Sequence, residues 1–157
     1  EPFFLKMIQD EHLDSKVLWQ FSPKVLMSPS HPLAGKEPLD HLDFSQSEEL
    51  LQRDIQYPSF TPENTDCVLP DSDPRHTIYI YDRGSQYEFL RHLPGAYMWT
   101  SPVPYSTLTE AKLIQRECTR PDNVFKDLLV CRSNYRLSKA ETELTQWLGR
   151  TISQLSD

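Results

Sequence analysis

Residues 77–93 constrain the fold more than any other stretch. Thr77-Ile78-Tyr79-Ile80-Tyr81 is a β-branched and aromatic run, Asp82-Arg83-Gly84-Ser85 is a polar break, and Gln86-Tyr87-Glu88-Phe89-Leu90-Arg91-His92-Leu93 has helical composition. A strand, a turn and a helix in this order begin a βαβ unit, in which the helix carries the chain back for a second parallel strand. Pro94-Gly95 stops the helix and Ala96-Tyr97-Met98-Trp99 predicts that returning strand.

The rhythm continues to the end of the chain. Leu108 to Cys118 predicts a helix, with Thr107 and Glu110 at capping-box spacing, and Val124 to Cys131 predicts a third strand around Leu128-Leu129-Val130. A final helix opens on the Ser138 to Glu141 box. Its Ala140, Leu144, Trp147, Leu148, Thr151, Ile152 and Leu155 recur at helical intervals, which places Trp147 in the core. The order β-α-β-α-β-α over residues 76–157 predicts an α/β fold with a small, mostly parallel sheet and right-handed crossovers.

The first 75 residues read differently. Nine of the 13 prolines precede residue 75, clustered in 23–38 and 58–74, and each removes a backbone donor and holds its predecessor extended. These stretches are expected as loops. Between them, Phe44 to Ile55 predicts a helix, with Ser45 and Glu48 at capping-box spacing and Leu50, Leu51 and Ile55 on one face. Lys16 to Phe21 predicts a short strand, and Phe3 to Ile8 either a helix or a strand. At 157 residues the chain is read as one domain, a proline-rich acidic arm over 1–75 folded onto an α/β core over 76–157.

Charge follows the same division. Residues 1–75 hold 14 acidic and 6 basic side chains, residues 76–157 hold 9 acidic and 10 basic, and the total is -7. An acidic first half repels phosphate backbones. Cys67, Cys118 and Cys131 are odd in number and lack zinc or redox spacing, so they read as reduced thiols of an intracellular protein, nuclear or cytoplasmic. No apolar run reaches the ~18 residues a bilayer span requires, and none resembles a leader peptide.

Chemistry has few candidates. Asp82 falls where a strand ends, the edge at which open α/β sheets bind ligands, and Glu88 lies one turn further on. A metal-dependent nuclease of the PIN-like or Toprim-like kind needs two to four gathered carboxylates, and the other predicted strand ends supply none. The acids at Asp40, Asp43, Asp71 and Asp73 read as solvated loop charges, and the five histidines are scattered, so neither metal nor cofactor is expected. Ser85 lacks the flanking glycines of a nucleophile elbow. Arg116, Arg120, Arg132 and Arg136 form a candidate anion or nucleic-acid surface, and Tyr97, Trp99 and Tyr105 a candidate protein interface.

Together these features predict a non-catalytic interaction or scaffold domain of a larger intracellular assembly, with a degenerate nuclease-like fold and other protein subunits as partners. The alternatives are a metal-dependent phosphoryl-transfer or nuclease-like enzyme centred on Asp82, and an RNA- or DNA-binding module built on the arginines. No membrane partner is expected.

Overall fold

The computed structural model describes residues 7–52, 76–119 and 124–155. In chain order the elements are β1 (Leu13–Phe21), β2 (Lys24–Met27), a 3-10 turn (His41–Phe44), β3 (Glu48–Gln52), β4 (Thr77–Ile80), α1 (Arg83–His92), β5 (Ala96–Thr100), α2 (Tyr105–Ala111), β6 (Ile114–Arg116), β7 (Phe125–Arg132) and α3 (Lys139–Leu155). The chain divides into two compact units, one formed by residues 1–22 with 123–157 and the other by residues 23–122.

The second unit holds a five-stranded sheet in the order β4-β3-β5-β2-β6. β3 is parallel to both β4 and β5, whereas β2 is antiparallel to β5 and β6. The fold is therefore mixed α/β, and the expected small, mostly parallel sheet is corrected on two counts. The proline-rich half supplies two strands of the sheet, β2 and β3, where an irregular arm was expected. The βαβ unit itself is present as read, β4-α1-β5, crossing over β3.

The predicted helix over 44–55 is not formed. Ser45 closes the 3-10 turn, whose capping box is made by Asp40 and Asp43, and the chain then enters β3. Leu50 is 2 % exposed, between two parallel neighbours, and the burial such a central position offers outweighs local helix propensity. The tail of that predicted helix, the 58–74 loop, Asp71, Asp73 and Cys67 lie outside the described residues, as does the start of the Phe3 to Ile8 segment, whose Met7 and Ile8 belong to a helical turn over residues 7–10. The helix predicted to reach Cys118 ends at Ala111 instead, because Lys112 turns into the left-handed region with φ 53°. Ile114–Arg116 then pairs with β2 as β6.

Strand alternation builds two cores on opposite faces of this sheet. Leu26, Leu50, Ile80, Ala96, Met98 and Leu113 meet Leu90 of α1 on one face, with Leu108 and Ala111 of α2 packed beside them. Val25, Met27 and Tyr97 point the other way and meet Leu39 and Phe44 from the segment before β3. Each fully buried leucine contributes about 1.5–3 kcal/mol relative to an exposed one.

In the first unit β1 and β7 pair antiparallel from Leu13 opposite Arg132 to Phe21 opposite Phe125, with an irregularity between Val17 and Trp19. The third predicted strand is thus present, but it belongs to a separate two-stranded sheet. Trp19, Phe21 and Phe125 stack along it, with centroids 4.4 and 6.0 Å apart. The final helix begins on the predicted box: the Ser138 amide donates to Glu141 Oε2 at 2.7 Å, and the Glu141 amide donates to Ser138 Oγ at 3.3 Å. Its apolar stripe is only partly covered. Leu148 and Ile152 are half-buried, but Leu144 is 55 % and Trp147 57 % exposed, so Trp147 is not the core residue its spacing predicts.

Candidate functional site

Three parallel strands end along one edge of the five-stranded sheet, β3 at Gln52, β4 at Ile80 and β5 at Thr100. β6 ends at the same edge with Arg116, and β2 starts there with Lys24, opposite Thr100. Ligands of open α/β sheets bind outside the carboxyl ends of parallel strands, where backbone leaves the ladder and side chains of the following turns converge. Here two turns converge, Tyr81-Asp82 leading into α1 and Ser101-Pro102-Val103-Pro104 leading into α2.

The first turn is organised by Asp82. Its carboxylate caps α1, accepting from the Gly84 amide at 3.1 Å, the Ser85 amide at 2.9 Å and the Ser85 hydroxyl at 2.6 Å. The Ser85 hydroxyl, then the Ser85 and Gly84 amides, hold this carboxyl below its ordinary range, so it stays ionised. Gly84 is an ordinary helical residue without positive φ. Glu88 is engaged with Arg91 and His92.

The second turn is held by one side chain that sequence reasoning passed over. Gln115, in the middle of β6, accepts the Val103 amide at 3.0 Å through Oε1. Its Nε2 donates to Thr100 Oγ1 at 3.2 Å and to the Ser101 carbonyl at 2.9 Å. Three hydrogen bonds and two flanking prolines fix the loop that presents the Ser101 hydroxyl. Beside it, Lys24 keeps 32 % of its side chain exposed and pairs with Glu117 at 3.3 Å. The edge therefore offers an anion at the β4 end, hydroxyls in the middle and an ammonium at the β2 end.

The other sequence candidates are dispersed. Arg116 is absorbed by the fold: its guanidinium donates to the Ala34 carbonyl at 3.0 Å and the Lys36 carbonyl at 3.2 Å. Arg132 and Arg136 are exposed residues of the first unit, and Arg120 lies outside the described residues. Tyr97 is buried against Phe44, Trp99 packs edge-on to Tyr97, and only Tyr105 is freely exposed, at 83 %. Among the described residues no group of three or more His, Cys, Asp or Glu side chains could hold a metal ion.

A second polar feature lies on the opposite face. His31 is buried in the turn after β2, its Nδ1 accepting the Leu33 amide at 3.0 Å and its ring 5.8 Å from that of Phe44. Burial holds its pKa below the ordinary 6.5, opposed in part by the Gly95 backbone. Because the unfolded chain takes up this proton first, the stability supplied by neutral His31 is complete above pH 6.5 and is lost as pH falls from 6.5 through the lower folded value. Urea unfolding across that window is expected to show a falling midpoint in the wild type and a shallower fall in His31→Gln; identical slopes would refute the assignment.

No family model matches the chain, and no curated protein matches it in sequence. Solved structures do match in fold. The effector-binding domain of QuiR, in complex with shikimate, superposes over 97 % of this chain and 78 % of its own with a TM-score of 0.59. This is the fold of LysR-type effector-binding domains. HinK, a LysR family transcriptional regulator from Pseudomonas aeruginosa, aligns over 91 % of this chain with a TM-score of 0.63, and the regulatory domain of MetR from Neisseria meningitidis over 90 % with 0.57. Identities are 12 % for QuiR, 16 % for HinK and 15 % for MetR, so the likeness is one of fold. The chain covers 49 % of HinK and 66 % of the MetR domain.

This likeness overturns the degenerate nuclease-like scaffold and its pseudo-enzyme character. The physical reasons agree. Asp82 is consumed as a helix cap, Arg116 is tied into the backbone, and the mixed sheet of an effector-binding fold replaces the expected parallel one. Among the described residues no helix is long and apolar enough to cross a membrane.

Proposed function

We propose that this chain is a small-molecule-sensing domain of an intracellular transcriptional regulator, with its effector bound at the carboxyl edge of β3, β4 and β5. The observation that carries this reading is the superposition of nearly the whole chain on an effector-binding domain solved with shikimate. The chemistry of the edge supports it. The Lys24 ammonium suits a carboxylate and the Ser101 hydroxyl suits either donor or acceptor, a set that favours a small hydroxylated acid. The acidic first half disfavours direct contact with phosphate, so in this reading DNA is contacted by other segments or subunits of the regulator, which are its partners.

The reading is tested by thermal shift against shikimate, quinate, benzoate and cyclohexene-1-carboxylate. A ligand present at a hundred times its Kd stabilises the folded state by about 2.7 kcal/mol, well within detection. At least one hydroxylated acid is expected to raise the melting temperature, with Ser101→Ala weakening binding about 2- to 10-fold and Lys24→Met about tenfold. No shift from any of the four at about 10 mM would reject the proposal.

A further inference from the structure

Gln86 is 3 % exposed, and its Nε2 is buried without a hydrogen-bond partner. It stands one turn ahead of Leu90, which is fully buried between α1 and the sheet, so the two share the inward face of the helix. Gln86 lies in the opening turn of α1, directly after β4, and helical side chains lean toward the helix N-terminus. The carboxamide is therefore directed toward the carboxyl edge and away from the middle of the core.

The rest of this turn is saturated. Asp82 already takes the Gly84 and Ser85 amides and the Ser85 hydroxyl, and its negative charge repels an anion from the helix end. What remains is one neutral donor enclosed by the fold. An enclosed amide without a partner carries a desolvation cost that nothing in the fold returns, and native chains keep few such groups. A ligand oxygen reaching it would gain a hydrogen bond without competition from bulk water.

We infer that Gln86 is the specificity-determining donor of the effector site and pairs with a neutral oxygen, a hydroxyl or carbonyl, on the end of the ligand remote from its carboxylate. This rests on the sensing reading above. Sites that donate to a ligand oxygen reject analogues lacking it, whereas apolar pockets discriminate weakly.

The test compares shikimate with cyclohexene-1-carboxylate, the same ring acid without hydroxyls, in wild type and Gln86→Leu by calorimetric titration, with melting temperatures of both proteins alone. Wild type is expected to prefer shikimate by about tenfold or more, and Gln86→Leu to bind the two within about twofold while melting no lower than wild type. An undiminished preference in Gln86→Leu would overturn the assignment and leave the sensing reading standing. A variant that melts several degrees lower would also overturn it, because the amide would then be satisfied within the fold. Absence of binding by either acid to wild type would remove this assignment together with the reading it rests on.

Discussion

Replacing Leu50 by Ala is expected to lower the unfolding free energy by about 2–5 kcal/mol, read from urea unfolding followed by circular dichroism. Leu50 is 2 % exposed on an interior strand, where β3 is flanked on both sides and its side chain belongs to the buried cluster that includes Ile80, Leu90 and Met98. Truncation leaves a cavity that the neighbouring strands cannot close without breaking ladder hydrogen bonds. Trp147→Ala supplies the contrast. At 57 % exposure the ring adds little burial to the first unit, and a loss of about 1 kcal/mol or less is expected. The opposite ranking would contradict both the place of β3 and the exposure of the α3 stripe.

Gln115→Leu is expected to cost about 1–3 kcal/mol and to loosen the loop after β5. Leucine keeps the bulk but leaves the Val103 amide without its acceptor, and the Thr100 hydroxyl and Ser101 carbonyl with only their bond to each other. Hydrogen exchange at the Val103 amide should accelerate, and the acids that stabilise the wild type should lose affinity because the Ser101 hydroxyl is no longer held in place. Gln115→Glu separates the contributions. It retains an acceptor for the Val103 amide while losing both donors, so exchange at Val103 should stay closer to wild type than in Gln115→Leu. Equal protection in all three proteins would show that the prolines alone hold the loop.

Local pattern made part of this fold legible. The β4-α1-β5 unit is readable because its strands are β-branched and aromatic and its helix is bounded by Asp82 and Pro94-Gly95, although both of its strands pair with β3 and not with each other. The last helix is readable for the same reason, through its box at Ser138 and Glu141. Elsewhere tertiary pairing decides. Glu48-Glu49-Leu50-Leu51-Gln52 has good helix formers, yet it becomes a strand because β4 and β5 offer ladders on both sides. Ile114-Gln115-Arg116 is too short to show alternation and continues a helical run, so β6 is invisible until Lys112 adopts its left-handed turn. The pairing of β1 with β7 joins residues more than a hundred positions apart and leaves no local trace.

Of the residues at the proposed edge, the sequence singled out Asp82, and the structure gives it the capping of α1. A strand-end carboxylate reads as a metal ligand, but its value here is to cap α1 and to set the charge of the edge. Gln115, Gln86 and His31 matter through burial and through partners that sequence spacing does not encode. Lys24 gives no signal as a surface lysine beside a proline until β2 is seen to start opposite Thr100. For Lys24 and Gln115 the missing information was the register of the sheet, and for Gln86 and His31 it was burial.

The central claim is that a small acid binds at the carboxyl edge of β3, β4 and β5, and amide chemical-shift mapping on the nitrogen-15-labelled chain tests it most directly. Titration with shikimate is predicted to move the amides of residues 24, 81–86, 100, 101 and 103, and to leave those of the opposite edge of the same sheet, including residues 27, 77 and 96, unmoved. Shifts confined to that opposite edge, or no shift at saturating acid, would contradict the account.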